Sequence, residues 1–523
     1  MHGLEEFGNQ APLENTGKPW YSEMNRYHWF VLTVAALGWL FDCLDQQLFI
    51  LARPAAMKSL LATAELDPGG KPVLDSNGKP RMKEPTQEEI KVAGNYATAI
   101  FLAGWALGGL FFGMLGDRWG RAKTMMLTIL LYSMFTGLSA ISTTVWDFAL
   151  YRFLTGLGVG GEFAVGVALV AEVMPARARP LCLALLQALS AIGNVSAAFI
   201  NLGFGIAEEQ GLVSSPWRMM FLVGALPALL ALIIRRYLKE PEQWKKASKE
   251  DGVKQQLGSY RELLGTPLWR KHALLGLVLA CSGVIGLWAI GFFTPDLIRY
   301  VQRKGVADKV YAERIVAAEA KQDTVLVERL QVLRDRERST EPPTDELDSD
   351  LRELKSSVEP TINGRLSRWA SYTSLMINFG AFLGMFGFGV VAQKIGRKPT
   401  FAMALIAACL STAAVFWFLR DFWQIFVLVP IMGFCQLSLF AGYAIYFPEL
   451  FPTRLRSTGT SFCYNVGRFV AAGGPLVQAA LLKQFADTNE SLRYAGVAMC
   501  GVFLVGLLVL PFLPETKDKP LPE

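Results

Sequence analysis

Apolar residues in this 523-residue chain come in blocks of about twenty, and this spacing constrains the fold more than any other feature. A helix needs about 20 residues to cross roughly 30 Å of hydrocarbon. Hydrophobic residues make up 52% of the chain and charged residues only 18%, a balance that is unusual for soluble domains. The sequence therefore predicts an all-α membrane protein with twelve transmembrane helices. Their approximate bounds are 28–51, 92–114, 124–143, 146–172, 180–207, 217–238, 272–298, 367–392, 399–419, 422–447, 457–482 and 491–513.

The charges outside these spans predict how the chain is oriented. The loops after spans 2, 4, 8 and 10 hold ten lysines and arginines, whereas the loops after spans 3, 5, 9 and 11 hold four. Because cytoplasmic loops are enriched in these residues, we expect the first set to face the cytoplasm and both termini to be cytoplasmic. Residues 1–27 lack an apolar core, so we expect no cleavable signal and an uncleaved first span in the plasma or inner membrane. All seven cysteines lie in apolar blocks, which favours small buried hydrophobes over disulfides.

Two loop motifs occur twice. GMLGDRWGRAK at 113–123 matches GVVAQKIGRKP at 389–399, at an offset of 276 residues, and AEVMPARAR at 171–179 matches PELFPTRLR at 448–456, at an offset of 277. Such internal repetition predicts two pseudo-symmetric six-helix halves. The predicted parts are an N-terminal tail (1–27), an N-terminal half (28–238), a cytoplasmic linker (239–271), a C-terminal half (272–513) and a C-terminal tail (514–523).

The C-terminal half carries an extra segment, 300–365, after span 7. Its central part has apolar residues at helical spacing and balanced charge, which predicts an extracytoplasmic helix or helical hairpin. A solvated insertion, a lid and a docking element for an extracytoplasmic partner all fit this pattern.

Five ionisable side chains lie within the spans: Asp42, Asp45, Arg152, Glu162 and Arg468. Charged groups at this depth cost a few kcal/mol and usually face a partner or a cavity. Three acids against two guanidiniums leave one negative charge uncompensated, so we expect one acid to hold a proton. The rise of a helix places Asp45 and Arg152 at similar depth, as a natural pair. We therefore predict a proton site at Asp42 and Asp45 with Arg152 as its counter-charge and Glu162 nearby. A static ion pair that locks two helices is the alternative.

The repeated GxxxDRxGR motif and RFLTGLGVGGE in span 4, followed by ExxPxxxR, resemble the major facilitator superfamily. The aspartate pair in span 1 and YNxGR in span 11 are most similar to its aromatic-acid, sialate and metabolite symporter branches, beside the sugar porters. The resemblance implies a transporter that works by alternating access and uses no cofactor. In sugar porters an aspartate of span 1 and an arginine of span 4 couple transport to protons, and the matching positions are Asp45 and Arg152. The organic-acid branch adds Asp42.

The loop motifs predict a cytoplasmic gate. Asp117 can interact with a helix N-terminus across the two halves, Arg118 and Arg121 can reach Glu172, and Arg397 can reach Glu449. Gln393 replaces an acid in the second half, so the equivalent contact there should be weaker. Topology anchoring alone is the alternative role of these charges.

Gln187 and Asn194 are seven residues apart and share one helix face, which binds sugar hydroxyls in sugar porters. The paired glutamines of span 7 and the tryptophan of span 10 that those proteins carry are absent. Arg468 has no midplane acid in its own half, so a substrate carboxylate could pair with it, or Glu162 could. The other predicted substrate contacts, for which helix packing is the alternative, are Tyr464, Asn465, Trp288, Gln436 and Tyr443.

No Walker motif, metal-ligand spacing or nucleophile elbow appears, and the glycines at 156–161 fit close helix packing. The chain is therefore predicted to be no enzyme, to need no metal or cofactor and to bind no nucleic acid. Its expected partners are the lipid bilayer, protons and a small organic substrate. We predict proton-coupled symport of a carboxylate or sugar acid. The alternatives are a proton-coupled or facilitative sugar transporter, a proton-antiport exporter and a non-transporting sensor.

Overall fold

Helices make up almost all of the secondary structure in the computed structural model. It describes residues 19–64, 82–83, 85–209, 212–213, 216–249, 256–287, 294–338, 349–471, 477, 480–481, 483–485, 488 and 490–522. The first half and the linker contain α1 (Arg26–Leu61), α2 (Gln87–Trp119), α3 (Arg121–Ser139), α4 (Val145–Val173), α5 (Arg179–Ala188), α6 (Ser190–Glu209), α7 (Pro216–Val223), α8 (Ala228–Tyr237), α9 (Glu242–Lys249) and α10 (Tyr260–Gly265).

The second half contains α11 (Pro267–Ile285), α12 (Thr294–Glu319), α13 (Thr324–Arg338), α14 (Ser349–Ile395), α15 (Arg397–Phe418), α16 (Ile425–Leu450), α17 (Arg456–Ala471), α18 (Ser491–Met499) and α19 (Val502–Val509). Short 3-10 turns occur at Trp20–Glu23, Phe422–Gln424 and Leu510–Phe512. A two-residue antiparallel pairing joins β1 (Thr63–Ala64) to β2 (Met82–Lys83).

Nine helical segments within the described residues are long and apolar enough to cross a membrane. The other three predicted spans are also helical. α3 has 19 residues but several polar ones, the apolar helical stretch Pro216–Ala231 is shorter, and α17 ends next to residues outside the described set. The all-α architecture predicted from the apolar blocks is thus confirmed.

Within each half, a glycine brings one pair of helices into close contact, and the two pairs are equivalent. Gly104 on α2 lies directly against the carbonyl of Phe153 on α4, and Gly380 on α14 lies against the carbonyl of Pro430 on α16. A β-carbon at either glycine would overlap that oxygen, so only glycine allows the two backbones to approach this closely. The two contacts are related by the offsets of the loop motifs, 276 and 277 residues. The sequence repeat is therefore also a repeat of helix packing.

A turned loop precedes α3 in one half and α15 in the other. Gly120 and Gly396 have φ values of 116° and 101°, in a region that L side chains rarely adopt. Behind each turn a carboxylate caps the next helix. Glu240 accepts hydrogen bonds from the backbone of Ala122 (3.2 Å) and Lys123 (3.1 Å), and Glu515 accepts them from Arg397 (2.9 Å) and Lys398 (3.0 Å). Both halves thus close with a capping glutamate next to a proline, Glu240 in EPE at 240–242 and Glu515 in LPET at 513–516.

The insertion after span 7 is helical, as its periodicity predicts. α12 and α13 pack on the first part of α14, which then continues without a break into span 8 over 47 residues. Arg365 holds Glu313 through two hydrogen bonds, of 3.0 and 2.5 Å. A separate apolar core lies between the three helices and consists of Val306, Ala307, Val310, Tyr311, Ile315, Ala318, Leu330, Leu333, Val358, Ile362 and Leu366.

Candidate functional site

A cavity of about 310 Å³ lies between the two halves, and we call it the central cavity. Its residues on α1 are Trp39, Cys43, Gln46, Gln47 and Ile50, which recur at helical spacing and so form one face. The rest of the lining comprises Trp105, Gln187, Ser190, Asn194, Leu287, Ser374, Ile377, Asn378, Met385, Gln436, Leu437, Phe440, Tyr464 and Arg468. Its volume suits a small solute, because ligand pockets usually measure about 300–1,000 Å³.

The Arg468 side chain brings a positive charge to this cavity. Its guanidinium lies 4.0 Å from the ring centre of Trp105 and 4.3 Å from that of Tyr464, and it donates a 2.9 Å hydrogen bond to Asn465 Oδ1. Only 9% of the residue is exposed, and its Nε has no hydrogen-bond partner. Among the described residues no acidic side chain lies within ion-pair distance of Arg468, Glu162 included. The cavity therefore presents a guanidinium without a salt-bridge partner in the described structure to whatever binds there, and longer-range attraction to Asp42 offsets part of its charge.

Three further buried polar atoms on the cavity wall have no hydrogen-bond partner within the described part of the chain. They are Trp39 Nε1, Gln187 Oε1 and Gln436 Oε1. Buried polar atoms are usually hydrogen-bonded because desolvation is otherwise costly. One donor and two acceptors thus remain for a bound solute, beside the aromatic rings of the wall.

Asn194, also on the wall, already joins the two halves, since its amide donates a 3.0 Å hydrogen bond to Asn378 Oδ1. Two predicted contacts lie behind the wall instead. The Tyr443 hydroxyl donates to the Leu279 carbonyl at 2.9 Å and its ring stacks on Phe447, so this residue serves helix packing. Asn465 positions Arg468 rather than facing the cavity. Trp288 lies outside the described residues.

The sequence prediction omitted several lining residues, among them Gln46, Gln47, Ser190 and Asn378. The two glutamines could have been found, because an amide pair in an apolar span is itself unusual.

Asp45 and Arg152 lie in contact, with 3.5 Å between Oδ1 and Nη1, and both are fully buried. Thr136 donates a 2.6 Å hydrogen bond to the same Asp45 oxygen. Arg152 donates to Ser139 at 2.8 Å, and its guanidinium lies 4.7 Å from the ring centre of Phe221. This pair lies on the face of α1 that packs against its own half. It therefore borders the central cavity without lining it.

Asp42 and Glu162 face each other on α1 and α4, within reach of a side-chain hydrogen bond. Both are 1% exposed, and none of their four carboxyl oxygens accepts a hydrogen bond from another described residue. Gly38 makes the approach feasible, because a β-carbon there would overlap Glu162 Oε1. Two carboxylates cannot hydrogen-bond to each other unless one holds a proton. The geometry therefore fits a pair that shares one proton.

One end of the bundle carries the two turned loops, and we call it the basic end. There, Asp117 accepts hydrogen bonds from Ser457 N (3.1 Å), Thr458 N (2.8 Å) and Thr458 Oγ1 (2.6 Å), across the two halves and at the start of α17. Glu172 receives Arg121 from its own half at 2.9 Å and Arg456 from the other half at 2.8 Å. All of these groups are buried. The basic end is therefore closed in this structure.

One of the predicted gate contacts differs from expectation. Arg118 does not reach Glu172 and instead donates to the Leu257 carbonyl at 3.0 Å. The reason is the turn at Gly120, after which only Arg121 points inwards. Gln393 retains a contact across the halves, since its amide donates to the Arg177 carbonyl at 2.6 Å. Arg397 holds Glu449 at 2.8 Å within the second half.

Comparison with known proteins agrees with this architecture. The sequence profile of the Major Facilitator Superfamily matches residues 80–312 and 365–523. The chain belongs to the major facilitator superfamily. Members of this superfamily are transporters rather than enzymes, so the protein is an integral membrane transporter. The stretch between the two matched ranges, 313–364, falls within the helical insertion.

Several superfamily members resemble the chain over most of its length. The "Probable 4-methylmuconolactone transporter" of Cupriavidus pinatubonensis is 26% identical over 92% of this chain and 89% of its own. The "Sialic acid transporter NanX" of Escherichia coli is 27% identical over 78% of this chain and 82% of its own. A solved structure of the proton:xylose symporter XylE superposes with a TM-score of 0.65 at 15% identity, covering 95% of this chain and 98% of the other. That likeness shows the shared fold.

Proposed function

We propose that this protein is a proton-coupled symporter of a small organic solute that carries a carboxylate. The observation that carries the proposal is Arg468, a guanidinium in the central cavity that forms no salt bridge with any described acidic residue. A solute carboxylate would supply a close counter-charge through charge-assisted hydrogen bonds. The flanking rings of Trp105, Tyr464 and Phe440 suit a ring or other apolar body. One relative is named for sialic acid, itself a carboxylate.

The position of the acids on α1 supports the proton coupling. Asp42 and Asp45 lie on the face of α1 next to the face that lines the central cavity. Protonation of Asp45 would weaken its attraction to Arg152, and both groups hold α1 in its present place. A proton and a solute would therefore bias the same helix from opposite sides, which is what coupling requires.

The direction of transport follows from the charge distribution. The basic end carries the lysine- and arginine-rich loops, so we assign it to the cytoplasm together with both termini. In this closed state the central cavity follows α1 from Trp39 towards Ile50, away from the basic end. Substrate would then enter from outside, and separation of Asp117 from α17 and of Glu172 from Arg456 would open the inner gate.

Proton movement in proteoliposomes tests the proposal. We would add aromatic carboxylates, sugar acids and neutral sugars in turn and record external pH with solute uptake. We expect alkalinisation with one carboxylate. Arg468→Gln should lower its kcat/KM about 10- to 100-fold, since hydrogen bonds to charged groups contribute about 1.5–3 kcal/mol. Arg329→Gln, which removes an exposed arginine of the insertion, is the matched control and should leave uptake unchanged.

Asp45→Asn separates coupling from binding in the same assay. Its accumulation against a gradient should be lost, while exchange of labelled solute across the membrane continues. A neutral sugar taken up equally well by wild type and Arg468→Gln would contradict the carboxylate. Measurable solute binding without uptake or proton movement would instead favour a sensor of the same fold.

A further inference from the structure

A second cavity, of about 490 Å³, lies at the basic end between the two halves, and we call it the basic cavity. Among the described residues, its charged lining is strongly one-sided, with six cationic side chains against two acidic ones. The cations are Arg177, Arg179, Lys394, Arg397, Lys517 and Lys519, and the acids are Glu449 and Asp518. Such an excess in a partly enclosed space concentrates anions. The transport cycle proposed above makes no use of this cavity.

The internal repeat shows that one ion pair is missing here. Arg456 begins α17 and forms a 2.8 Å ion pair with Glu172 across the halves. Its equivalent at an offset of 277 residues is Arg179, which begins α5, and the equivalent of Glu172 is Glu449. The pair Arg179–Glu449 does not form in the described structure. Glu449 is engaged instead by Arg397 at 2.8 Å and by the hydroxyl of Thr516 at 2.5 Å.

Arg179 is consequently buried without a close ion pair to any described acid and keeps only a longer-range attraction to Glu449 and Glu172. Only 8% of the residue is exposed, and its Nε has no hydrogen-bond partner. No ion pair or side-chain hydrogen bond to it occurs within the described residues, although it lies on the wall of the basic cavity. A buried charge without a hydrogen-bonded ion pair is costly. An anion in the cavity that hydrogen-bonds to Arg179 would lower that cost.

Residues after the last span form the far wall of the basic cavity. Lys517 donates a 2.8 Å hydrogen bond from Nζ to the Lys394 carbonyl, which brings two lysines of the second half to the side facing Arg179. Glu515 binds the backbone of α15 and so fixes this segment in place. The cations of the two halves therefore line one space, which they share with Glu449 and with Asp518, whose carboxylate lies 3.6 Å from Lys517 Nζ.

We propose that the basic cavity binds a phosphate group, held by Arg179 of the first half and by Lys394 and Lys517 of the second. The planar fork of a guanidinium matches phosphate geometry with two parallel hydrogen bonds, and ammonium groups add point charges. A dianion suits the cationic excess better than a single carboxylate. Two sources offer this chemistry, a soluble phosphate compound and the headgroup of an anionic lipid. Either would bridge the two halves and favour the state that is closed at the basic end.

Ligand-dependent stability of the full-length protein tests this proposal independently of any transported solute. Purified protein in neutral detergent would be titrated with inorganic pyrophosphate at constant ionic strength, and separately with phosphatidylglycerol in mixed micelles. The unfolding midpoint of wild type should rise saturably in one arm. The rise should be absent in Arg179→Gln and retained in Arg236→Gln, which removes an exposed arginine outside the cavity.

The two arms distinguish the sources. Stabilisation by pyrophosphate identifies a soluble phosphate ligand, and stabilisation by phosphatidylglycerol alone identifies a lipid headgroup. Lys517→Gln provides a second variant on the less buried side of the cavity and should raise the half-saturating concentration several-fold. A midpoint that does not move in either arm, or that moves equally in wild type, Arg179→Gln and Lys517→Gln, overturns the proposal.

Discussion

The lack of a side chain at Gly38 determines how Asp42 on α1 and Glu162 on α4 face each other. Gly38 lies one turn before Asp42, and the carboxyl of Glu162 occupies the space that a β-carbon would fill. The two acids can face each other only because this position is glycine. The Glu162 side chain is flexible. A β-carbon at position 38 would therefore displace its carboxyl group rather than push the two helices apart.

Gly38→Ala tests this placement. We expect it to lower stability by about 1–3 kcal/mol, because overpacking forces the Glu162 carboxyl out of its site. In a Glu162→Ala background the same change should cost nothing and can stabilise by up to about 1 kcal/mol through helix propensity. Unfolding midpoints of the four proteins provide the comparison. Gly203→Ala, where a β-carbon meets no atom within 4 Å, controls for propensity, and equal costs in both backgrounds would exclude the proposed contact.

At the scale of elements, the turned loop and its carboxylate form one unit that occurs in both halves. The loop needs glycine for its positive φ, and the carboxylate supplies acceptors for the N–H groups exposed at the start of the next helix. For Glu515, burial opposes ionisation, but hydrogen bonds from the backbone of Arg397, Lys398, Lys517 and Thr516 outweigh it and lower its pKa below the usual 4.5.

The lowered pKa of Glu515 predicts a pH-dependent contribution to stability. The folded protein binds this proton more weakly than the unfolded chain does, so the contribution is complete above pH 4.5 and disappears as the pH falls through the folded pKa. Glu515→Gln should therefore cost about 0.5–2 kcal/mol near neutral pH, as lost helix caps do. Its unfolding midpoint should converge with that of wild type below pH 4.5.

Exposed Glu328 on α13 provides the matched control, because Glu328→Gln removes the same charge without removing a cap. A difference between Glu515→Gln and wild type that stays constant from pH 3 to 7 would contradict the assignment.

The sequence predicts elements better than it predicts which face of an element is used. The loop repeat anticipates equivalent helix packing, and the Asp117 motif anticipates the contact with the start of α17. The rotation of α1 about its axis could not be predicted, since polar residues occur on two of its faces. Packing against α3 and α4 turns Asp45 to Thr136 and Arg152 and leaves Gln46 and Gln47 for the central cavity. Tyr443 was misplaced for a similar reason, because buried aromatics look alike in sequence.

The backbone conformation of Gly120 explains why Arg118 and Arg121 do not share a helix face. Arg118 and Arg121 are three residues apart and would share a face in a continuous helix. The positive φ at Gly120 ends α2 and starts α3 in a new direction. Only Arg121 then points to Glu172.

At the scale of the whole molecule, the insertion stands apart from the transporter core. Its helices enclose their own apolar core, and the superfamily profile resumes where α14 approaches the bundle. The Glu313–Arg365 contact brings the two ends of the unmatched stretch together. A short linker can therefore join residue 313 to residue 365 in place of the stretch between them.

Replacing residues 314–364 with about six glycine and serine residues should leave a folded protein that retains solute uptake. The bundle packs around the central cavity without contributions from this stretch, so we expect kcat/KM to change less than about threefold. Uptake by wild type and the shortened protein would be compared in proteoliposomes at equal protein content. As a control, scrambling the surface residues of α13 without shortening the chain should also leave uptake unchanged. Complete loss of uptake in a folded shortened protein would instead assign the insertion a role in transport.

The unbroken length of α14 has a consequence for observing this transporter at work. At about 1.5 Å per residue, its 47 residues extend for about 70 Å, and Asn378 on the cavity wall lies roughly 44 Å from the outer end at Ser349. A rigid tilt of about 10° at the cavity would sweep that outer end through about 8 Å. Dyes attached to the solvent-exposed insertion would thus report, one molecule at a time, on a movement within the bilayer that is too small to follow where it begins.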